Sequence, residues 1–229
     1  MKKWGYYSVC IALMAAVMLA MYWGNQAVSV ISRELSGKVR HCIVIDPGHG
    51  GEDGGASSCT GALESGYNLE IALRLEDLLH FLGYDTRMIR REDVSVYTTG
   101  QTIAQKKVSD LKQRVRIVNG TPNGILVSIH QNYFPDYRSS GAQVFYAGSP
   151  GSEELAKQMQ SALSLLNPGS RRKSKQGKGI YLLEHIRCPG VLAECGFLSN
   201  PEEEARLRSG EYQKKLCCSI AASISRYLS

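Results

Sequence analysis

The sequence holds no C-x-x-C pair, no internal repeat and no low-complexity tract. Its seven cysteines, Cys10, Cys42, Cys59, Cys188, Cys195, Cys217 and Cys218, are odd in number and scattered. A disulfide framework is not indicated for a chain long enough to stand on its own core, and most of the cysteines read as small buried hydrophobes. Basic residues interleaved with stacking aromatics are also lacking, which argues against nucleic acid as a partner. Charged residues make up 21% of the chain and hydrophobic ones 43%, a globular balance that excludes disorder over most of its length. With 229 residues there is room for one sizeable domain and a short appendage, but not for two ordinary enzyme domains.

The formal charge of +6 is unevenly placed. Arg171, Arg172, Lys173, Lys175 and Lys178 form one cluster, readable as a solvated loop or as a patch facing a polyanion. Lys2 and Lys3 precede the 18-residue uncharged run Tyr6 to Trp23, just long enough to span a bilayer as a helix. The two lysines hold the N-terminus inside, so the remainder is exported. Tyr6, Tyr7, Tyr22 and Trp23 stand at the ends of the run, where interfacial aromatics belong. No convincing small-x-small cleavage site follows, which favours an uncleaved anchor over a removed signal peptide. Residues 1–23 thus read as a signal anchor, 24–40 as a linker and 41–229 as the catalytic domain.

From His41 onward, short apolar runs alternate with amphipathic segments. Strands are expected at 42–46, 86–89, 125–129, 142–147, 180–183 and 191–193. Helices are expected at 64–82, stopped by Gly83, and at 110–119 with Asp110 as its cap. Two more are expected at 152–166, ahead of Pro168-Gly169, and at 211–228. The alternation predicts an α/β fold, a single domain with a largely parallel central sheet flanked by helices. In such sheets the functional residues gather past the carboxyl ends of strands.

Three strand ends carry the chemistry. The first reads Asp46-Pro-Gly-His49-Gly-Gly51, the third Ser128-Ile-His130-Gln-Asn132, and the sixth Ala193-Glu194-Cys-Gly-Phe-Leu-Ser-Asn200. Glu64 opens the first long helix after a glycine-rich loop. Singly, each has an ordinary reading: a turn histidine, an acid complementing the helix dipole, a strand-end charge paired with arginine. Together, two histidines and one carboxylate make the ligand set of a catalytic zinc, with a fourth position left open for water. A separate carboxylate, Glu194, is placed to act as general base and later as acid to the leaving amine. By spacing alone, Glu52, Asp53 and Glu70 compete with Glu64 for the third ligand position.

At this point the chain resembles the zinc N-acetylmuramoyl-L-alanine amidases, over about His41 to Leu228. DPGHGGEDGGA from Asp46 to Ala56 looks like the family's opening motif, and Gly61-Ala-Leu-Glu64 like its G-x-x-E. Arg114 and Asn119 match its Arg-then-Asn helix, SIHQN from Ser128 to Asn132 its S-I-H-x-N, and VLAECGFLSNPEE from Val191 to Glu203 its closing motif. The resemblance implies one zinc per chain on His49, Glu64 and His130, with Glu194 as the catalytic acid/base. It implies peptidoglycan as substrate, and it leaves room for an activating protein partner. Ser65 stands where the family often has lysine, and Cys195 where it often has a small or aliphatic residue; neither removes a catalytic atom. The short, anchored layout without repeated wall-binding modules resembles the subgroup of germination-specific spore-cortex amidases. That would place the enzyme outside the cytoplasmic membrane in a spore-forming bacterium, starting the conversion of muramic acid to its δ-lactam. A zinc peptidase on cell-wall peptides and a non-catalytic wall-binding module are the alternatives. The intact quartet His49, Glu64, His130 and Glu194 weighs against the second.

Overall fold

The apolar run at Cys42 is buried on both sides, and it forms the strand β1 (Cys42–Pro47) near the middle of the sheet. The computed structural model describes Met18, Leu19, Met21 and residues 40–229. The anchor expected over 1–23 and the linker over 24–40 fall almost wholly outside the described residues. Among the described residues, no helix is long and apolar enough to cross a membrane.

His41–Ser229 folds as one unit. After β1 come α1 (Glu64–Phe81), β2 (Asp85–Met88), α2 (Ile103–Asn119), β3 (Gly124–Asn132) and β4 (Gln143–Tyr146). The chain continues through α3 (Ser152–Ser164), β5 (Lys175–Gln176), α4 (Tyr181–His185), β6 (Gly190–Phe197), α5 (Pro201–Arg208) and α6 (Gly210–Leu228). The strands form one six-stranded sheet in the order β2-β1-β3-β6-β4-β5. β2, β1, β3 and β6 run parallel, while β4 is antiparallel to β6 and carries β5 parallel to itself. The expected α/β layering and largely parallel sheet are therefore present.

Strand pleating sorts the core into two layers, because successive side chains point to opposite faces. Ile43, Ile45, Ile125, Val127, Ile129, Val191 and Ala193 pack with α1, α3 and α6 on one face. Val44, Leu126 and Leu192 face the other way and meet Val118 of α2 and Leu182 and Leu183 of α4. By the same alternation Asp46, Ser128, His130 and Glu194 stand on the α2/α4 face, at the carboxyl ends of their strands.

Three expectations change. Residues 180–183 form no strand; the helix α4 occupies Tyr181–His185, and the two-residue β5 takes the sheet edge instead. A short apolar run fits either state, and here the Glu184 carboxylate accepts from Gly179 N at 2.7 Å, closing the first turn as a helix. The second helix begins at Ile103 rather than Asp110, since Thr102 and Gln105 form a reciprocal capping box. Asp110 lies inside that helix and pairs with Arg114 at 2.6 Å. An additional helix, α5, starts at Pro201 with Asn200 accepting from the amides of Glu202 and Glu203.

Candidate metal centre

Beyond β1 the chain turns sharply, with His49 in the left-handed region at φ 59°. Two buried arginines hold this turn by its carbonyls. Arg114 Nη1 donates to Pro47 O at 2.9 Å and its Nη2 to His49 O at 2.7 Å. Arg90 donates to Pro47 O at 3.0 Å and to Gly48 O at 2.9 Å. Arg114 is itself fixed by Asp46, whose other oxygen accepts from Ser128 Oγ at 2.6 Å. Burial weakens the charge on Arg114, but the Asp46 and Asp110 carboxylates outweigh it and hold the guanidinium protonated. Gly48 has to be glycine: a Cβ there would fall 2.2 Å from the His130 ring.

Glu64 enters from the opposite layer as the first residue of α1. Its Oε2 accepts from Ala56 N at 3.0 Å and its Oε1 from Gln131 N at 3.1 Å and Asn68 Nδ2 at 3.1 Å. The two histidines close on the same carboxylate. His49 Nε2 lies 3.2 Å from Oε2 and His130 Nδ1 lies 3.0 Å from Oε1. The imidazoles meet edge to face with centroids 5.0 Å apart. One donor atom from each of His49, Glu64 and His130 falls within 4.8 Å of the others, a grouping able to hold a metal ion.

The rivals of Glu64 are engaged elsewhere. Glu52 pairs with Lys106 at 2.7 Å, and Glu70 accepts from Gln213 at 2.9 Å. Asp53 has a supporting place that sequence spacing did not reveal: its Oδ2 sits 3.0 Å from His49 Nδ1, and Lys107 pairs with it from behind. An acceptor at Nδ1 keeps a hydrogen there and aims Nε2 at Glu64, which leaves Nε2 as the atom to bind metal once its own proton is given up.

The charges interlock. Burial works to neutralise His49, but Glu64 and then Asp53 prevail and raise its pKa. Burial likewise opposes ionisation of Glu64, yet hydrogen bonds from His130 and His49 hold it far below the usual carboxylate range. Glu194 behaves in the opposite way. It pairs in register with His130 on the neighbouring strand, and its Oε2 is buried without a hydrogen-bond partner. Burial pushes its pKa up to about 7, with the Glu64 charge adding to the rise and the histidines resisting it. A buried carboxylate oxygen with no partner beside two histidines and a third donor is what a metal and its water would complete.

The basic cluster divides. Arg172 stacks over the Phe197 ring with its guanidinium carbon 4.5 Å from the centroid, and donates to Ser140 O at 2.8 Å. Lys173 O accepts from Gln143, which stands in register with Glu194. Arg171 to Lys173 therefore lie at the metal end of the sheet. From Lys175 the chain runs along β4 away from it.

Residues 43–226 match the family described as N-acetylmuramoyl-L-alanine amidase. The chain belongs to that family. It is 37% identical over 227 residues to the germination-specific N-acetylmuramoyl-L-alanine amidase of Bacillus subtilis, covering 98% of this chain and 94% of the relative. Among solved structures it is similar to the CwlD amidase of Clostridioides difficile in complex with the GerS lipoprotein. That match has a TM-score of 0.79 and 36% identity, over 82% of this chain and 98% of CwlD. A second amidase, from Clostridium difficile 630, matches with TM-score 0.72 and 29% identity over 83% of this chain and 98% of its own.

In this amidase neither departure noted in the sequence is among the three grouped donors. Ser65 is buried and offers its carbonyl to Arg90 at 2.9 Å. Cys195 packs in the helix-covered core on the face of the sheet opposite Glu194. Asn119 lies outside the centre: it clips the end of α2 to the loop after α4, through His185 O at 3.0 Å and Arg187 N at 2.9 Å.

Proposed function

We propose that this amidase is zinc-dependent and cleaves the amide bond between the lactyl group of N-acetylmuramic acid and L-alanine of the stem peptide in peptidoglycan. The observation that carries this reading is the conjunction of His49, Glu64 and His130 as donors with the partnerless buried oxygen of Glu194. His49, Glu64 and His130 would hold one zinc per chain, and Asp53 orients the first of them. When bound, zinc supplies Lewis acidity, which activates water and polarises a carbonyl.

The chain's own groups do the rest. Glu194, whose pKa burial raises to about 7, takes the proton from the attacking water as a carboxylate and hands it to the leaving nitrogen of L-alanine. Arg90 and Arg114 keep the His49 turn rigid, so that the first donor does not drift from the other two.

The likeness to the Bacillus subtilis germination-specific enzyme over nearly the whole of both chains supports a place in spore-cortex maturation. Lys2 and Lys3 ahead of the uncharged run Tyr6 to Trp23 support an anchor at residues 1–23 with a linker at 24–40 and the catalytic domain 41–229 outside the cytoplasmic membrane. The similar CwlD structure contains a lipoprotein, which supports a protein partner here, and we assign that partner the part of an activator.

The test is mass spectrometry of muropeptides before and after digestion. The expected products are stem peptides with a free L-alanine amino group and glycan with a free lactyl carboxylate. Products cut within the stem peptide would replace the amidase by a peptidase.

A further inference from the structure

Just past β3, the strand that carries His130, the chain presents three aromatic side chains within five residues. Tyr133, Phe134 and Tyr137 are 52%, 54% and 67% exposed. Large apolar rings gathered on one surface loop, rather than scattered, mark a binding surface.

The loop that bears them is braced. Leu198 N donates to Asn132 O at 2.8 Å, Phe134 N to Ser199 Oγ at 3.2 Å, and Asn200 Nδ2 to Ser139 O at 3.3 Å. All three braces come from the segment just beyond β6, the strand of Glu194. Within the loop, Arg138 forks onto both oxygens of Asp136, Ser139 N returns to Asp136 O at 3.0 Å, and Pro135 fixes its own φ. The rings are thus held at the two strand ends that supply His130 and Glu194, on backbone already ordered for a ligand.

We propose that Tyr133, Phe134 and Tyr137 are a platform on which sugar rings of the glycan strand stack. This rests on the amidase reading above, in which the bond to be cut joins a sugar to a peptide. The chemistry of the loop selects the sugar. A pyranose offers a flat face of polarised C–H groups, which suits the electron-rich face of an aromatic ring, while its hydroxyls stay at the edge. Two of the three rings carry a phenol that can hydrogen-bond there. A stem peptide carries carboxylates and calls for free cations. The run 133–137 has none, and Arg138, the next residue, is committed to Asp136.

The test uses the full chain purified in detergent. Peptide-free strands of alternating N-acetylglucosamine and N-acetylmuramic acid are titrated calorimetrically into wild type, into the triple variant Tyr133→Ala/Phe134→Ala/Tyr137→Ala, and into the ring-keeping variant Tyr133→Phe/Phe134→Tyr/Tyr137→Phe. Alanine should weaken binding at least about fivefold, and the ring-keeping variant should restore it. In parallel, kcat/KM is compared on a tetrasaccharide and on a single N-acetylmuramic acid bearing the same stem. The alanine variant should lose about tenfold on the first, chiefly through KM, and little on the second. Glycan binding indifferent to the three rings, or equal losses on both substrates, would overturn the platform. A wild type that binds glycan through these rings yet releases no stem peptide would instead sink the amidase reading and leave the platform standing.

Discussion

At the scale of single residues, the placement of Glu194 has a thermodynamic sign. Its pKa moves from 4.5 to about 7 on folding of the metal-free chain, so the folded state binds this proton more tightly than the unfolded state. Stability from this group is therefore fully present below about pH 4.5 and is lost as pH rises through about 7, a cost on the order of 3 kcal/mol. Glu194→Gln removes the ionisation. With chelator present, the variant should match wild type near pH 4.5 and exceed it by roughly 2–4 kcal/mol near pH 8 in urea denaturation. With metal present, the same variant should keep the ion and lose about 10²–10⁴-fold in turnover. Metal retention itself should fail in the double variant His49→Ala/His130→Ala. Asp53→Ala should bind metal about 10–100-fold more weakly, read by competition with a chromophoric chelator. His49, His130 and Glu194 stand out in the sequence because each follows the end of an apolar run, whereas only the resemblance to the family's G-x-x-E separated Glu64 from Glu52, Asp53 and Glu70; the structure brings His49, Glu64 and His130 together. Asp53 was visible only as a rival ligand, since spacing does not say which atom of His49 it faces. Arg90 was not legible at all: it acts through the carbonyls of Pro47, Gly48 and Ser65, and any residue type supplies those.

At the scale of elements, α2 carries the Arg114 brace across to β1, and its two ends can be probed apart. Thr102→Ala removes the capping box and should lower stability by about 1 kcal/mol. Arg114→Ala leaves Asp46 buried without its cation and should cost about 3–5 kcal/mol, with metal affinity falling alongside. The start of α2 was written in the sequence as Thr102-Ile-Ala-Gln105, ahead of a stretch whose sparse apolar residues hid the first two turns. Asn200-Pro201 followed by Glu202, Glu203 and Glu204 spells the start of α5 in the same local code. The segment 180–185 was different. Its apolar residues suit strand or helix equally, and here Glu184 closes the first turn while Leu182 and Leu183 fill the layer beside Leu126 and Leu192. Long periodic elements such as α1 and α6 were legible because one face of each is buried along its full length.

At the scale of the whole molecule, the core of the unit His41–Ser229 begins at Ile43. Removing residues 1–23 should therefore leave a soluble domain with unchanged cooperative unfolding, checked by circular dichroism and analytical ultracentrifugation. An insoluble, unfolded product from a chain that folds well in detergent would move the boundary. Sheet order was not legible from the alternation of elements, because nothing local says that the last strand belongs in the middle. Yet β6 lies between β3 and β4. A chain emerging from its N-terminus, whether from the ribosome or across a membrane, lays down His49, Glu64 and His130 long before Glu194. Glu194 comes with residues 190–197, the strand that stands between two strands made before it. Because both neighbours of β6 precede it in the chain, no length of chain that stops short of residue 190 can complete the sheet in its final order or bring Glu194 beside His130.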